Sequence, residues 1–522
     1  MELKKDTLQT EHTKGTASVQ VTFDESYNLP DYLPDFHSVI LSRGDVRLDE
    51  GKTGPGNILV KGAVKFRVFY RTGQNDWKIS CLEGEFPFQE TLILESADEF
   101  DMPQVETVLE DLSIQMMNSR KLNIRALLEL RVSAWEREDI EIPVEVQAEP
   151  LPEILREEET FLELIYRGKE RCHFREEIRL PSNKTNIRQI LWQQAQIFGS
   201  GTKVMEGKLL LQGEMQIFVI YLGEEDGGIQ WFETKLPCQC EVQIPEADVD
   251  VIPHITTKVQ NTALSVQEDA DGELRIILAE ADLLADLWLY RERMWEMVRD
   301  LYALDKKLLL KTRSAQVLRL HMKNESKYRM NDTIHLQSTD SEILQICAGF
   351  GEVQIDRQEM VENGIATEGT VRVQVLYLTS NDNAPIEAVE GILPFRYVVE
   401  IPGILPDCRF ELQCDLEQLS FLMKSSRELE VQAVISLQAL VTRPEQMEVI
   451  QEVQEEPLDL EELNQQPGMV GLTLTEQDSL WKIAKKYHTT QEVIRKTNHL
   501  ENKPVPVGTK LLLLKQILPE KN

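Results

Sequence analysis

The sequence predicts a mainly β protein of 522 residues, with three tandem antiparallel, sandwich-like repeat domains followed by a small βααβ module. Three observations predict it. One alternating strand recurs three times at intervals near 150 residues. A proline and a second alternating run follow it each time at nearly constant distances. The tail beyond residue 467 instead shows two short helical patterns between two apolar strands.

The recurring strand reads KGAVKFRVFYRT from Lys61, QGEMQIFVIYLG from Gln212 and EGTVRVQVLYLT from Glu368. In each, a glycine precedes strict alternation ending on tyrosine: Val64, Phe66, Val68, Tyr70; Met215, Ile217, Val219, Tyr221; Val371, Val373, Val375, Tyr377. Period two marks a half-buried strand. Pro87, Pro237 and Pro394 stand 25, 24 and 25 residues beyond the glycines, and second runs open 60, 61 and 60 beyond, at Leu122, Leu274 and Leu429. Val46, Ile197 and Val353 each stand 16 before. A period this long means domains rather than a solenoid. Boundaries at 1–150, 151–305 and 306–450 follow, and exposed edge strands on these domains are candidate docking sites for strand addition. Alternation between copies, in EDIEIPVEVQ, KTRSAQVLRLHM and EQMEVIQEVQ, either completes one sheet or bridges to the next. In copy two, acidic residues interrupt the run from Arg275, and a partly helical segment is expected there.

Residues 443–467 hold eight acidic residues against one arginine, and 451–467 read as an acidic linker. The domain at 468–517 lies in a tail of opposite sign, with nine Lys or Arg against five Asp or Glu. The chain as a whole carries −33, so the tail is a basic cap on an acidic body and is suited to dock on something acidic. Within the tail, Asp478 or Ser479 can cap a helix that turns Leu480, Ile483, Ala484 and Tyr487 inward. TTQE from Thr489 reads as a capping box with Glu492. Val493 and Ile494 face inward on the second helix, and Gly508 turns the chain into the returning strand.

Asp478, Ser479, Leu480, Trp481, Ile483, Ala484, Tyr487, Val493, Asn498, Leu500, Val507, Gly508 and Leu511 resemble a LysM domain. That resemblance implies a groove for N-acetylglucosamine glycans or another ligand, lined by Thr475, Glu476, Gln477, Asp478, Ser479, Leu480, Trp481, Asn502, Lys503, Pro504 and Val505. Glu476 and Gln477 stand where the family usually has proline and glycine, which weakens glycan recognition. At its helix position, Trp481 is expected to pack in the core. Lys482, Lys485, Lys486 and Lys496 are expected to form a basic partner-binding surface. The three upstream copies resemble the SPOCS domain, and the whole order resembles the SPOCS-plus-LysM spore-coat morphogenetic family. The resemblance implies a mother-cell scaffold docking on the coat ATPase at the forespore surface, with peptidoglycan or N-acetylglucosamine oligomers as the alternative ligand.

No catalytic constellation accompanies these motifs. GKT at 51–53 has Val46 where a P-loop needs glycine, and GxSxG, HExxH and GxGxxG are lacking. An enzyme, a cofactor and a metal site are therefore not expected. The acidic charge disfavours nucleic acid and anionic lipid as partners. The start MELKKDTLQTEHTKG has no apolar core, no run is long enough to insert in a membrane, and seven cysteines are too few for a disulfide framework. The expectation is reduced thiols, Cys238 and Cys240 included, in a cytoplasmic protein.

Overall fold

The computed structural model describes residues 1–73, 78–224, 228–338, 340–381, 384–458, 467–501 and 503–515. Each copy is six strands in two three-stranded antiparallel sheets. Copy one comprises β1 (Glu2–Asn28), β2 (Phe36–Gly54), β3 (Asn57–Thr72), β4 (Lys78–Ile93), β5 (Met102–Asn118) and β6 (Lys121–Gln147). Its sheets have the orders β1-β6-β5 and β2-β3-β4. Copy two repeats this with β7 (Glu153–Arg179), β8 (Ile187–Met205), β9 (Lys208–Gly223), β10 (Ile229–Gln243), β11 (Ile252–Glu268) and β12 (Leu274–Tyr302). Copy three does so with β13 (Lys306–His335), β14 (Ile343–Val361), β15 (Gly364–Thr379), β16 (Ile386–Glu400), β17 (Arg409–Ser425) and β18 (Glu428–Pro457).

The alternating faces read from sequence are the inner faces of these sandwiches. In copy one, Ile58, Val60 and Val64 of β3 pack against Ala126, Leu128 and Leu130 of β6. The tyrosine that ends each run is buried and returns a hydrogen bond to a carbonyl 36 residues upstream. Tyr70 donates to Pro34 at 2.9 Å, Tyr221 to Thr185 at 3.2 Å and Tyr377 to Ser341 at 3.5 Å. Pro87, Pro237 and Pro394 all lie in edge strands, where a missing N–H breaks no ladder. Each also interrupts the donor row of its edge, which shortens the stretch open to strand addition.

Four expectations need correction. The run from Arg275 is strand throughout, because β12 pairs with β7 and β11 on both sides and its acidic residues fall on the solvent-facing side or meet partners such as His173 and Lys169. The equivalent of Leu122 and Leu429 is Ile277 rather than Leu274. Those three face Tyr27, Ile334 and Ile178, and the β11–β12 turn carries the extra residues. Cys172 and Cys240 are bonded in a disulfide, since β7 and β10 face each other in copy two with the two Cα atoms 5.9 Å apart. The cysteine count therefore gives no support to a reducing compartment. Residues 451–457 of the expected linker are strand, paired in β18 with β13; 459–466 lie outside the described residues.

The strands between copies build something the repeats alone did not announce. First and last strands of each copy pair over 27 to 30 residues, far past the sandwich. A β-bulge sits at one equivalent point in each ladder, between Ala134 and Trp135, Leu289 and Tyr290, and Val441 and Thr442. Bulges bend and twist a ladder. Beyond them the three ladders converge on a shared core of Leu8, Ile140, Ile142, Phe161, Trp295, Met297, Val317, Met447 and Val449. A second shared core lies between the sandwiches, where Phe69, Trp192, Ile220, Phe350 and Leu376 meet.

Around that second core, polar contacts join each copy to the next and close the circle. Arg67 of copy one donates to the Gln193 carbonyl of copy two at 2.6 Å. Gln196 of copy two donates to the Gly351 carbonyl of copy three. Gln374 of copy three returns to the Ser42 carbonyl of copy one at 3.0 Å. The three domains therefore form a ring, not beads on a string. Among the described residues, no helix is long and apolar enough to cross a membrane.

Trp295→Ala empties the shared stem, and a loss of about 3–5 kcal/mol in unfolding free energy is expected, measured by the fall in denaturant midpoint at unchanged m. His254 tests the joint of copies two and three. Burial and nearby Lys323 push its pKa from 6.5 down to about 4. The native state thus resists a proton that the unfolded chain accepts, and stability falls as pH drops from 6.5 towards 4. A His254→Asn chain is expected to lose that part of the pH dependence, measured by thermal midpoints across the window.

Candidate functional site

The tail folds as β19 (Met469–Thr473), α1 (Leu480–Lys486), α2 (Gln491–Thr497) and β20 (Lys510–Leu514), with β19 antiparallel to β20. Leu474, Leu480, Ile483, Ala484, Ile494, Leu511 and Leu513 make its core, while Val493 and Tyr487 are half-buried. Ser479 is the N-cap of α1, accepting from the Lys482 amide. The cap of α2 is Thr490, which accepts from the Val493 amide, one residue later than the expected box at Thr489. Thr489 is fully buried instead. Gly508 turns at φ +88 before the returning strand.

The predicted groove residues divide. Thr475, Glu476, Gln477, Ser479, Lys503 and Pro504 are exposed on neighbouring loops. Asp478 is spent within its loop, accepting from the Thr475 amide at 3.0 Å and hydroxyl at 2.5 Å, and those bonds hold its carboxyl below the usual range. Leu480 and Val505 pack on the tail's own core. Asn502 lies outside the described residues. Gln477 does not adopt a left-handed backbone, so glycine is not needed there for conformation; its effect is side-chain bulk alone.

Trp481 belongs to neither groove nor tail core alone. It is 5% exposed and lies edge-on to Tyr302 of β12, ring centroids 4.9 Å apart. Its indole N–H donates to Asp300 Oδ2 at 2.7 Å, and Lys485 Nζ donates to Oδ1 of the same carboxylate at 2.5 Å. Tyr302 donates to the Thr489 carbonyl at 2.8 Å, and His488 Nε2 lies 2.8 Å from the Leu304 carbonyl. Leu155 and Leu304 cover the remaining apolar surface. The tail is seated on the end of the copy-two ladder.

Sequence explains why copy two alone receives it. A second bulge lies at the same place in each ladder, and copies one and three continue from it as Glu145-Val146-Gln147 and Glu452-Val453-Gln454. Copy two reads Asp300-Leu301-Tyr302. The shorter acid and the aromatic ring together make the seat. Asp300 and Tyr302 lie in the run expected to be partly helical, where no local pattern marked them. Of the basic surface, Lys485 is consumed by the seat; Lys482, Lys486 and Lys496 remain exposed.

The SipL SPOCS-domain family matches residues 35–117, 186–267 and 342–424, which are strands two to five of each copy. The LysM family matches 473–513. The chain belongs to the SPOCS-plus-LysM family. Its combination of domains is that of a sporulation-associated LysM protein. Comparison with curated proteins and with solved structures returned no significant match. The first and last strands of each SPOCS copy, which build the stem and seat the LysM domain, lie outside the matched segments.

Asp300→Ala removes a carboxylate shared by two donors, an expected cost of about 1.5–3 kcal/mol. The LysM domain should then leave its seat, with Trp481 becoming accessible to a fluorescence quencher. Glu145→Ala, at the equivalent place in copy one, is expected to leave Trp481 shielded.

Proposed function

We propose that this chain is a non-enzymatic scaffold in spore-coat assembly, docking through its LysM domain on a protein partner, the coat basement-layer ATPase at the forespore surface. The observation that carries the reading is the seating of Trp481. Trp481, named with the groove residues but expected to pack in the core, is closed off against Asp300 and Tyr302, so it offers no platform to a sugar ring. What remains outward is two polar loops and the exposed side chains of Lys482, Lys486 and Lys496, with Lys482 Nζ 3.5 Å from the Gln477 carbonyl. Gln477 adds bulk where a sugar would approach the backbone.

Such a surface suits an acidic protein face better than an uncharged glycan, by charge complementarity. The ring of SPOCS copies gives that surface a fixed orientation, and its other faces are free for further partners. Linking these contacts in one chain raises the effective concentration of each second contact.

The test is binding of the full chain to the purified ATPase and, separately, to N-acetylglucosamine hexamer. The ATPase is expected to bind, and K482A/K486A/K496A to weaken it at least tenfold, about 1.4 kcal/mol. Tight hexamer binding without ATPase binding would contradict the reading.

A further inference from the structure

Copy two departs from its sisters at three positions that meet in space. The residue opposite the strand glycine is Phe88 against Gly62 in copy one and Phe395 against Gly369 in copy three. In copy two it is Cys238, against Gly213. Two residues further on, Tyr397 of copy three corresponds to Cys240. On the facing sheet, Tyr328 of copy three corresponds to Cys172, six residues before the matching Ile334 and Ile178.

In copy three these rings fill one volume, Tyr328 lying 6.0 Å from Phe395 and 5.4 Å from Tyr397. In copy two, three cysteines take the same three places. The glycine is retained, and a Cβ on Gly213 would still meet Ile197 Cγ2 at 3.1 Å and the Phe198 carbonyl at 3.3 Å. A Cβ on Gly62 would come 2.7 Å from the Phe88 ring and one on Gly369 3.1 Å from Phe395, whereas on Gly213 it would lie 3.4 Å from the Cys238 sulfur. Small sulfurs in place of rings leave a cavity of about 230 Å³.

Ile197, Met215 and Ile255 form its apolar wall with the cysteines; His173, Asp282, Lys323 and Glu325 line its polar rim, and β17 of copy three reaches it with Gln413. The Gln413 side-chain oxygen is buried without a hydrogen-bond partner among the described residues. Cavities of roughly 150 Å³ with apolar walls take up benzene. An unpaired buried acceptor is costly and selects for a donor. We propose that copy two is a binding site for a small, neutral, single-ring compound carrying one hydrogen-bond donor. Its ring lies where Phe395 lies in copy three, and its donor reaches Gln413 Oε1. This inference stands apart from the LysM reading, since the cavity uses none of the residues of the seat.

The test uses the full chain with phenol, and with toluene as the ring lacking a donor, read by saturation-transfer NMR and by the thermal midpoint. Phenol is expected to bind and to raise the midpoint, and toluene to bind about fivefold more weakly. Cys238→Phe, which restores the sister ring, is expected to abolish both effects. Should that chain not fold, Cys238→Leu fills part of the same space and is expected to weaken phenol at least tenfold. Absence of phenol binding, or binding unchanged in the filling variant that folds, would overturn the site. Equal binding of toluene would overturn the role of Gln413.

Discussion

Everything in this protein depends on the pairing of each copy's first strand with its last. That ladder closes the sandwich at one end and runs on for another dozen residues as a two-stranded ribbon. A lone ribbon has one apolar face with nothing to cover it and is marginal in water. Three ribbons together solve the problem for one another, and Ile140, Trp295 and Met447 meet at equivalent positions in the shared core. Once the ribbons converge, the sandwiches are brought side by side, and Phe69, Ile220 and Leu376 are buried between them. The ring is thus a consequence of hydrophobic burial imposed on three covalently linked copies.

Linkage in one chain also allows the copies to diverge, which three identical subunits could not do. Divergence is visible at two places. At the ladder end, Asp300 and Tyr302 replace a glutamate and a glutamine, and the LysM domain seats on that copy alone. Inside the sandwich, Cys172, Cys238 and Cys240 stand where copy three has three rings, and a cavity opens. Copy three keeps three rings in the sandwich and copy one keeps Phe88, while at the ladder end both leave glutamate and glutamine exposed. Copy two carries the specialised features, in a frame that the other two hold rigid.

The sandwich strands were legible because each buries one face, and period two is readable from a single chain. The stem was less so. Its strands showed the same alternation, but alternation says which face is apolar and not what covers it. The partners lie about 150 residues away in other copies. The apolar residues of β3, β9 and β15 that face the ring centre, such as Phe69, were masked by their neighbours on the inner face. In the tail, apolar spacing marked both helices and the core, and the place of α1. Thr489 and Thr490 are adjacent and both can cap, so the cap of α2 fell one residue off. The seat was not legible at all. Asp300 and Trp481 are 181 residues apart, and nothing local to either names the other. The disulfide failed for a similar reason, since a C-x-C pattern does not reveal the third cysteine on the opposite sheet.

The central claim is that the LysM domain is held as one body with the ring and presents its groove in a fixed direction. Amide ¹⁵N relaxation of residues 470–513 in the full chain measures this most directly. The account predicts that these amides tumble with the slow correlation time of the three copies. Fast tumbling, as of a small domain on a free tether, would contradict it.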